Sequence, residues 1–357
     1  MGSAVSIRQV AAAAGVSVGT VSNVLNHPER VAPATRDRVV TVIERLGFVR
    51  NESARQLRGG AARAIGLIVP DIGSPFFTDV ARGVEAAASA AGQAVVLCNS
   101  AASRRRERRN TDLLAEQRVH GVLITPVGRA HEPVRRLRDH GLSVVLVGHP
   151  TPDSQQCSVS VDDRTGGELA VTHLLAAGSS SIVYVGGPAD GHQVAERRRG
   201  AFDAVRKAGR DESMPEVFEQ PALNVVSGMR AGERLLARRT LPDAVFCAND
   251  LLALGLLQSM VRAGVVVPDD LAIIGYDDID FAAAGAVPLS SVRQPREQLG
   301  RTAAELVISE SFHRETHEHR HAVFSPELVI RESSRPTRAP VATRRQSFPS
   351  TKAPAEP

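Results

Sequence analysis

Apolar residues recur at helical spacing in the first fifty positions, and in short continuous runs after that. Ile7, Val10, Ala11 and Ala14 fall at i, i+3, i+4 and i+7, which predicts a first helix with one apolar face. Gly15 ends it, because glycine takes the left-handed conformation a helix terminus often needs. Ser17 is a good N-cap for a second helix, and Val16 and Val21 occupy the two positions of a hydrophobic staple. Val21, Val24 and Leu25 form the buried stripe of that helix, which leaves Val18, Gly19, Ser22 and Asn23 on the opposite side. A third helix is expected over 34–46, with Val39, Ile43 and Leu46 inward and Gly47 as its stop. Three such helices can bury their stripes together. The capped second helix, small on its free face, has the layout of a helix-turn-helix that reads DNA.

From residue 64 the pattern changes. Apolar runs at 64–70, 94–98, 121–126 and 144–148 read as buried strands, with helices near 77–91, 104–118 and 131–140. A second series of strands at 158–162, 181–187, 244–248 and 271–277 alternates with helices near 164–177, 195–209, 227–238 and 250–263. Strand-helix alternation predicts parallel sheets covered on both faces, so the two series predict two doubly wound lobes. Ligands of such sheets bind at the carboxyl ends of the strands, and two lobes facing each other enclose a cleft there. The expected divisions are a head at 1–50, a hinge and linker at 51–62, a two-lobed body at 63–334 and a disordered tail at 335–357.

Polar residues gather at the expected strand ends: Asp71, Asp162, Asp163, Asn249, Asp250, Asp277 and Asp278. Arg197 lies early in a helix, and Phe76 and Phe77 open another. Acids, an amide and an arginine converging on a cleft suit a polyhydroxylated ligand, since each hydroxyl both donates and accepts. The same residue types also serve as caps and turn formers at strand-to-helix junctions, so residue type alone leaves both roles open.

Charge sharpens this picture. Residues 1–63 carry nine arginines against four acids, and the tail carries five basic residues against one acid. With the whole chain at +4, the acidic excess falls on the body. A basic head on a mildly acidic body is the electrostatic footprint of a DNA binder. No run of about 18 uncharged apolar residues occurs, so no spanning helix is expected. The chain runs directly into an amphipathic helix without the apolar core of a signal peptide, which points to the cytoplasm. Cys98, Cys157 and Cys247 are far apart and odd in number, as befits thiols in a reducing compartment.

The segments "IRQVAAAAGVSVGTVSNVLN" and "VAPATRDRVVTVIERLGFVRNESARQLRGG" resemble the DNA-binding head of the lactose-repressor/galactose-repressor (LacI/GalR) family. The likeness continues through "AIGLIVPDIGSPFF", "VSVDDRTGG", "AVFCANDLLALGLLQ", "VPDDLAIIGYDDID" and "PELVIRESS", over about residues 5–334. It implies an all-α helix-turn-helix head plus an α/β bilobed core of the periplasmic-binding-protein type. It also implies a transcriptional repressor whose operator affinity a small molecule controls, with a sugar or sugar derivative as the expected effector and a nucleobase as an alternative. A solute-binding receptor for sugar transport is a second alternative, disfavoured by the head. No enzymatic activity and no cofactor are expected.

The resemblance carries particular residues. Val18, Gly19 and Asn23 take base-reading positions, while Ser17, Thr20 and Ser22 take positions suited to phosphates. An asparagine can bond adenine through two hydrogen bonds, whereas Val18 offers only apolar contact. The segment 51–60 matches the family's hinge helix: Leu57 takes the place of the residue that wedges into the minor groove, and Arg55 and Arg58 are placed for the backbone. Phe76, Asp162, Arg197, Asn249 and Asp277 match effector-contacting positions. The partners implied are near-palindromic double-stranded operator DNA, the effector and a second copy of the chain; no membrane partner is expected. The tail has no leucine heptads, so no tetramer-forming coiled coil is expected.

Three other signals are weak. Residues 15–19, GVSVG, fit a nucleophile-elbow pattern, but a helix precedes them where that pattern needs a strand. The glycines of VGGPADG lack dinucleotide-loop spacing. His313, His317, His319 and His321 have no cysteine near them in sequence and read as a solvated surface between a helix and a strand, with no metal expected.

Overall fold

The structure is a computed structural model that describes residues 5–48, 64–128, 130–188, 191–211 and 215–335. The expected hinge helix and nearly all of the tail lie outside these residues. The chain divides into two compact units, residues 1–62 and 63–357.

The first unit holds helices α1 (Ile7–Ala14), α2 (Val18–Asn26) and α3 (Pro33–Leu46). Its core is Val10, Ala11, Ala14, Val21, Val24, Val39 and Val42, with Leu25, Ile43 and Leu46 packed against it. Helix α1 starts at a capping box: Ser6 accepts from the Gln9 amide, and the Gln9 side chain bonds back to the Ser6 amide. Gly15 and Gly47 close α1 and α3 with left-handed backbone, φ 64° and 59°.

The second unit contains two six-stranded sheets. The first has the order β11-β5-β4-β3-β1-β2, all parallel. Its strands are β1 (Ala64–Val69), β2 (Ala94–Asn99), β3 (Gly121–Ile124), β4 (Ser143–Val147), β5 (Cys157–Val161) and β11 (His321–Phe324). Helices α4 (Pro75–Ala90), α5 (Arg104–Glu116), α6 (His131–Asp139) and α12 (Arg296–Phe312) accompany it.

The second sheet has the order β12-β10-β9-β8-β6-β7, with β12 antiparallel at its edge. Its strands are β6 (Ile182–Gly186), β7 (Glu216–Glu219), β8 (Ala244–Cys247), β9 (Ala272–Asp277), β10 (Ser290–Arg293) and β12 (Glu327–Val329). It carries α7 (Asp163–Ala176), α8 (His192–Lys207), α9 (Val225–Leu236), α10 (Asp250–Arg262) and the short α11 (Asp280–Ala284).

The sequence pattern puts the run at 158–162 at the head of the second lobe. The structure places it in the first sheet instead, hydrogen-bonded between β4 and β11. The chain crosses between lobes three times: after β5 at Asp162, after β10 at Gln294-Pro295, and after β11 at Ser325-Pro326. Each lobe therefore owns discontinuous segments. Apolar periodicity marks a buried strand but not the sheet it joins, and the short strands β7, β10, β11 and β12 carry little signal.

Three helix pairs pack through reciprocal glycines. A Cβ on Gly83 would overlap the Glu297 carbonyl oxygen, and one on Gly300 that of Val80, which joins α4 to α12. Gly167 and Gly200 do the same for α7 and α8, and Gly228 and Gly255 for α9 and α10. These backbones touch because neither helix presents a side chain at the crossing.

Candidate functional site

In the head, Ser17 caps α2: its Oγ accepts from the Thr20 amide at 3.0 Å and shares a 2.9 Å hydrogen bond with Thr20 Oγ1. This fixes the first turn of the helix. Val18, 39 % exposed, Gly19 and Asn23 lie open to solvent on one side, while Val21 and Val24 are buried on the other. Thr20 and Ser22 are half-buried between them, and Ser22 Oγ accepts from Asn26 Nδ2 at 3.2 Å. The exposed face is therefore small and carries one strong hydrogen-bonding side chain, Asn23. Arg55, Leu57 and Arg58 lie outside the described residues.

In the body, Arg197 is the centre of a buried polar cluster. It projects from α8 and is 3 % exposed. Its Nε donates to Asp163 Oδ1 at 2.8 Å, and its Nη1 donates to the Ala248 carbonyl at 2.6 Å and lies 3.7 Å from Asp277 Oδ1. The guanidinium also stacks on the Tyr276 ring, 3.7 Å from its centroid. One arginine thus ties α7, α8 and the carboxyl ends of β8 and β9. Burial opposes its charge, but Asp163 and Asp277 raise its pKa above the usual arginine value. Its neighbours in "AERRRGAF" have other uses: Arg198 lies over Phe202, and Arg199 pairs with Glu196.

Asp277 ends β9 with φ at +104°, a strained value for a residue with a side chain. Its Oδ1 accepts from Gln294 Nε2 at 2.7 Å. Burial pushes its carboxyl up to about 7, against the opposing pull of Arg197. Asn249, 4 % exposed, caps α10: Oδ1 accepts from the Leu252 amide at 3.0 Å, and Nδ2 donates to the Leu223 carbonyl at 3.2 Å. The next residue, Asp250, is fully buried, accepting from Ser291 Oγ at 2.6 Å and the Ile279 amide at 2.8 Å. Asp250 thereby holds the β9 and β10 ends in register beneath Asp277.

The structure brings Arg197, Asn249 and Asp277 together at the carboxyl ends of the second sheet. Asp162 sits at the crossover and is exposed, capping α7 by accepting from the Thr165 amide at 2.9 Å and Thr165 Oγ1 at 2.7 Å. Phe76 stays in the other lobe, 4 % exposed in its core, with its ring edge-on to the less buried Phe77 at 5.0 Å. The lobes meet near the ends of β4 and β6. There the His149 and His192 rings approach to 4.6 Å.

The site residues that sequence reasoning misses are Tyr276 and Gln294. Tyr276 reads as an ordinary core position in β9. Gln294 follows a strand too short to be expected, yet its Oε1 is buried with no hydrogen-bond partner among the described residues. The glutamine before a proline at a strand end was its only signal.

A basic helix-turn-helix head and a two-lobed α/β core with a polar cluster at its strand ends define a DNA-binding regulator with a ligand-binding core. Residues 6–51 match the family described as "Bacterial regulatory proteins, lacI family", and residues 171–334 match a "Periplasmic binding protein-like domain". The chain is similar to the HTH-type transcriptional repressor PurR of Photobacterium profundum, 32 % identical over 92 % of this chain and 98 % of that protein. It is also similar to the ribose operon repressor of Escherichia coli, 32 % identical over 85 % and 92 % of the two chains. Among solved structures it resembles a transcriptional regulator CelR–cellobiose complex, at 33 % identity, TM-score 0.70, and coverage of 92 % and 99 %. The chain belongs to the lacI family of bacterial regulatory proteins.

Proposed function

We propose that this protein is a repressor that binds a near-palindromic operator as a homodimer and is controlled by a carbohydrate held between its lobes. The observation that carries the ligand reading is the clamped guanidinium of Arg197, which offers a fixed, charged donor beside the carboxylate of Asp277. A ring hydroxyl accepts from Arg197 and donates to Asp277, and Asn249 and Gln294 extend the same pattern. Asp162 serves at the rim and Phe76 on the facing lobe. The relatives agree in class, since one is the ribose operon repressor and another was solved with cellobiose. No helix among the described residues is long and apolar enough to cross a membrane.

In the head, Asn23 reads a base edge, Val18 makes apolar contact, and Gly19 lets the backbone approach. Ser17, Thr20 and Ser22, with the amides of the first helical turn, hold phosphates and set register. Arg55 and Arg58 extend the phosphate contacts, and Leu57 wedges the minor groove at the operator centre. Ligand binding and DNA binding are coupled, and the coupling is reciprocal.

A melting-temperature screen of pentoses, hexoses, disaccharides and nucleosides tests the ligand class. At a hundred times its Kd a ligand adds about 2.7 kcal/mol of stability, which is read as a shift of several degrees. The expected result is a sugar that stabilises the wild type and not Arg197→Lys. A nucleoside hit with no sugar hit overturns the carbohydrate assignment.

A further inference from the structure

We propose that the first lobe carries a site for a divalent transition metal of the zinc class, formed by Cys157, Glu310, His317 and His319. These residues reach one point from three elements: Cys157 opens β5, Glu310 lies in the last turn of α12, and the two histidines lie in the loop leading into β11. One ligating atom of each falls within 4.8 Å of all the others. Cys157 Sγ lies 3.2 Å from His317 Nε2 and 3.6 Å from His319 Nδ1. With Zn–S near 2.3 Å and Zn–N near 2.0 Å, the S···N edge of a tetrahedral site is about 3.5 Å. The two measured distances bracket that value.

The surroundings match a ligand cage. Ser309 Oγ bonds His317 Nδ1 at 3.0 Å, which orients the ring so that Nε2 faces the sulfur. The Arg320 amide donates to Cys157 Sγ at 3.4 Å, the kind of donor that supports a thiolate. Two imidazole nitrogens, from His317 and His319, converge on this one sulfur. The Glu310 carboxyl is buried beside the Ser143 hydroxyl, and Cys157 is fully buried. A dication answers both observations, and with a thiolate and a carboxylate the site is electrically neutral. Thiolate and imidazole donors select zinc-like ions over magnesium or calcium.

The expectation of a solvated histidine surface is corrected here for two of its four members. His317 and His319 are half-buried over Cys157, while His313 and His321 stay exposed. The sequence hid the cluster because its cysteine lies 160 residues before His317 and is brought back only by the β5–β11 pairing. A metal here pins the start of β11, which runs on into the third crossover between the lobes.

The test uses the full-length chain, reduced and stripped by chelator dialysis, titrated with Co(II) and followed by absorption. One equivalent is expected to produce a thiolate-to-cobalt charge-transfer band and the intense visible bands of a tetrahedral site, both displaced by Zn(II). Cys157→Ser is expected to lose the charge-transfer band, and Cys98→Ser to keep it. His319→Gln, in a loop the core does not depend on, is expected to weaken Co(II) binding at least tenfold, a typical consequence of disturbing a metal ligand shell. Circular dichroism confirms the fold of each variant, and if Cys157→Ser does not fold, His319→Gln decides. Absence of the band at one equivalent, its persistence in folded Cys157→Ser, or unchanged affinity in His319→Gln overturns the proposal.

Discussion

Gly167 on α7 lies so close to the carbonyl oxygen of Arg197 on α8 that any Cβ would overlap it. The absent side chain on one helix therefore sets the depth of the arginine on the other. Gly200 repeats the contact against Arg164, so the two helices cannot slide without losing both. A Cβ on Gly167 would lie 2.0 Å from that backbone oxygen, so Gly167→Ala is expected to force the helices apart and to cost at least the roughly 1–3 kcal/mol usual for overpacking. It should also weaken ligand binding, because Arg197 moves away from Ala248 and Asp277. Urea unfolding and calorimetric titration measure the two effects, and a stability loss with unchanged ligand affinity would separate the glycine from the site.

Removing Asp163 leaves Arg197 buried with the longer contact to Asp277, at 3.7 Å, in place of its close carboxylate partner. Breaking a buried pair from one side costs about 3–5 kcal/mol, whereas replacing both partners by apolar residues is often close to neutral. Asp163→Asn should therefore fall at or just below the lower end of that range. The double variant Asp163→Leu, Arg197→Met should lose less than the sum of the two single losses. A double-mutant cycle in urea measures the coupling, and additive losses would show that the pair is not the interaction holding α7 to α8.

Asp277 gives a pH signature. Its carboxyl is raised to about 7 in the folded chain, so at intermediate pH the native state keeps a proton that the unfolded chain has released. Its contribution to stability is full below the ordinary carboxylate range and is lost as pH rises toward 7. Asp277→Asn removes that dependence, so the variant should gain on the wild type between about pH 5 and pH 7.5. Unfolding free energies at the two pH values test this, and a pH-independent difference would contradict it.

The head makes a separable prediction. Asn23→Ala should reduce operator affinity by about 1–3 kcal/mol, the value of one paired base contact, and leave binding to unrelated DNA nearly unchanged. Ser17→Ala should instead cost about 1 kcal/mol of head stability through the lost cap. Anisotropy titrations with specific and random duplexes, at one fixed salt concentration, check the first, and urea unfolding checks the second.

The head was legible because its signals are local: a cap, a staple, two terminal glycines and a 3.6-residue stripe all lie between Ile7 and Gly47. The eight longer or more apolar strands of the body, and the helices between them, were legible for the same reason, whereas β7, β10, β11 and β12 were not. Their partition between lobes was not, because β5 looks like any buried strand, β11 is short and half-exposed, and their neighbours are set by long-range pairing. The polar cluster around Arg197 was half legible. Arg197, Asn249 and Asp277 sit in motifs, but Tyr276 and Gln294 gain their roles only from what folds against them. The Cys157 cluster was invisible for that reason too, since spacing along the chain says nothing about elements joined across a sheet.

On the function proposed above, a ligand held by the Arg197–Asp277 cluster controls DNA binding by the head. The direct measurement is fluorescence anisotropy of a duplex selected from random sequence by the full-length protein, titrated with and without the sugar identified by thermal shift. The wild-type Kd is expected to change by at least fivefold at saturating ligand, within the usual range of allosteric coupling, and that of Arg197→Lys to stay constant. An equal shift in both proteins, or none in the wild type, would contradict it.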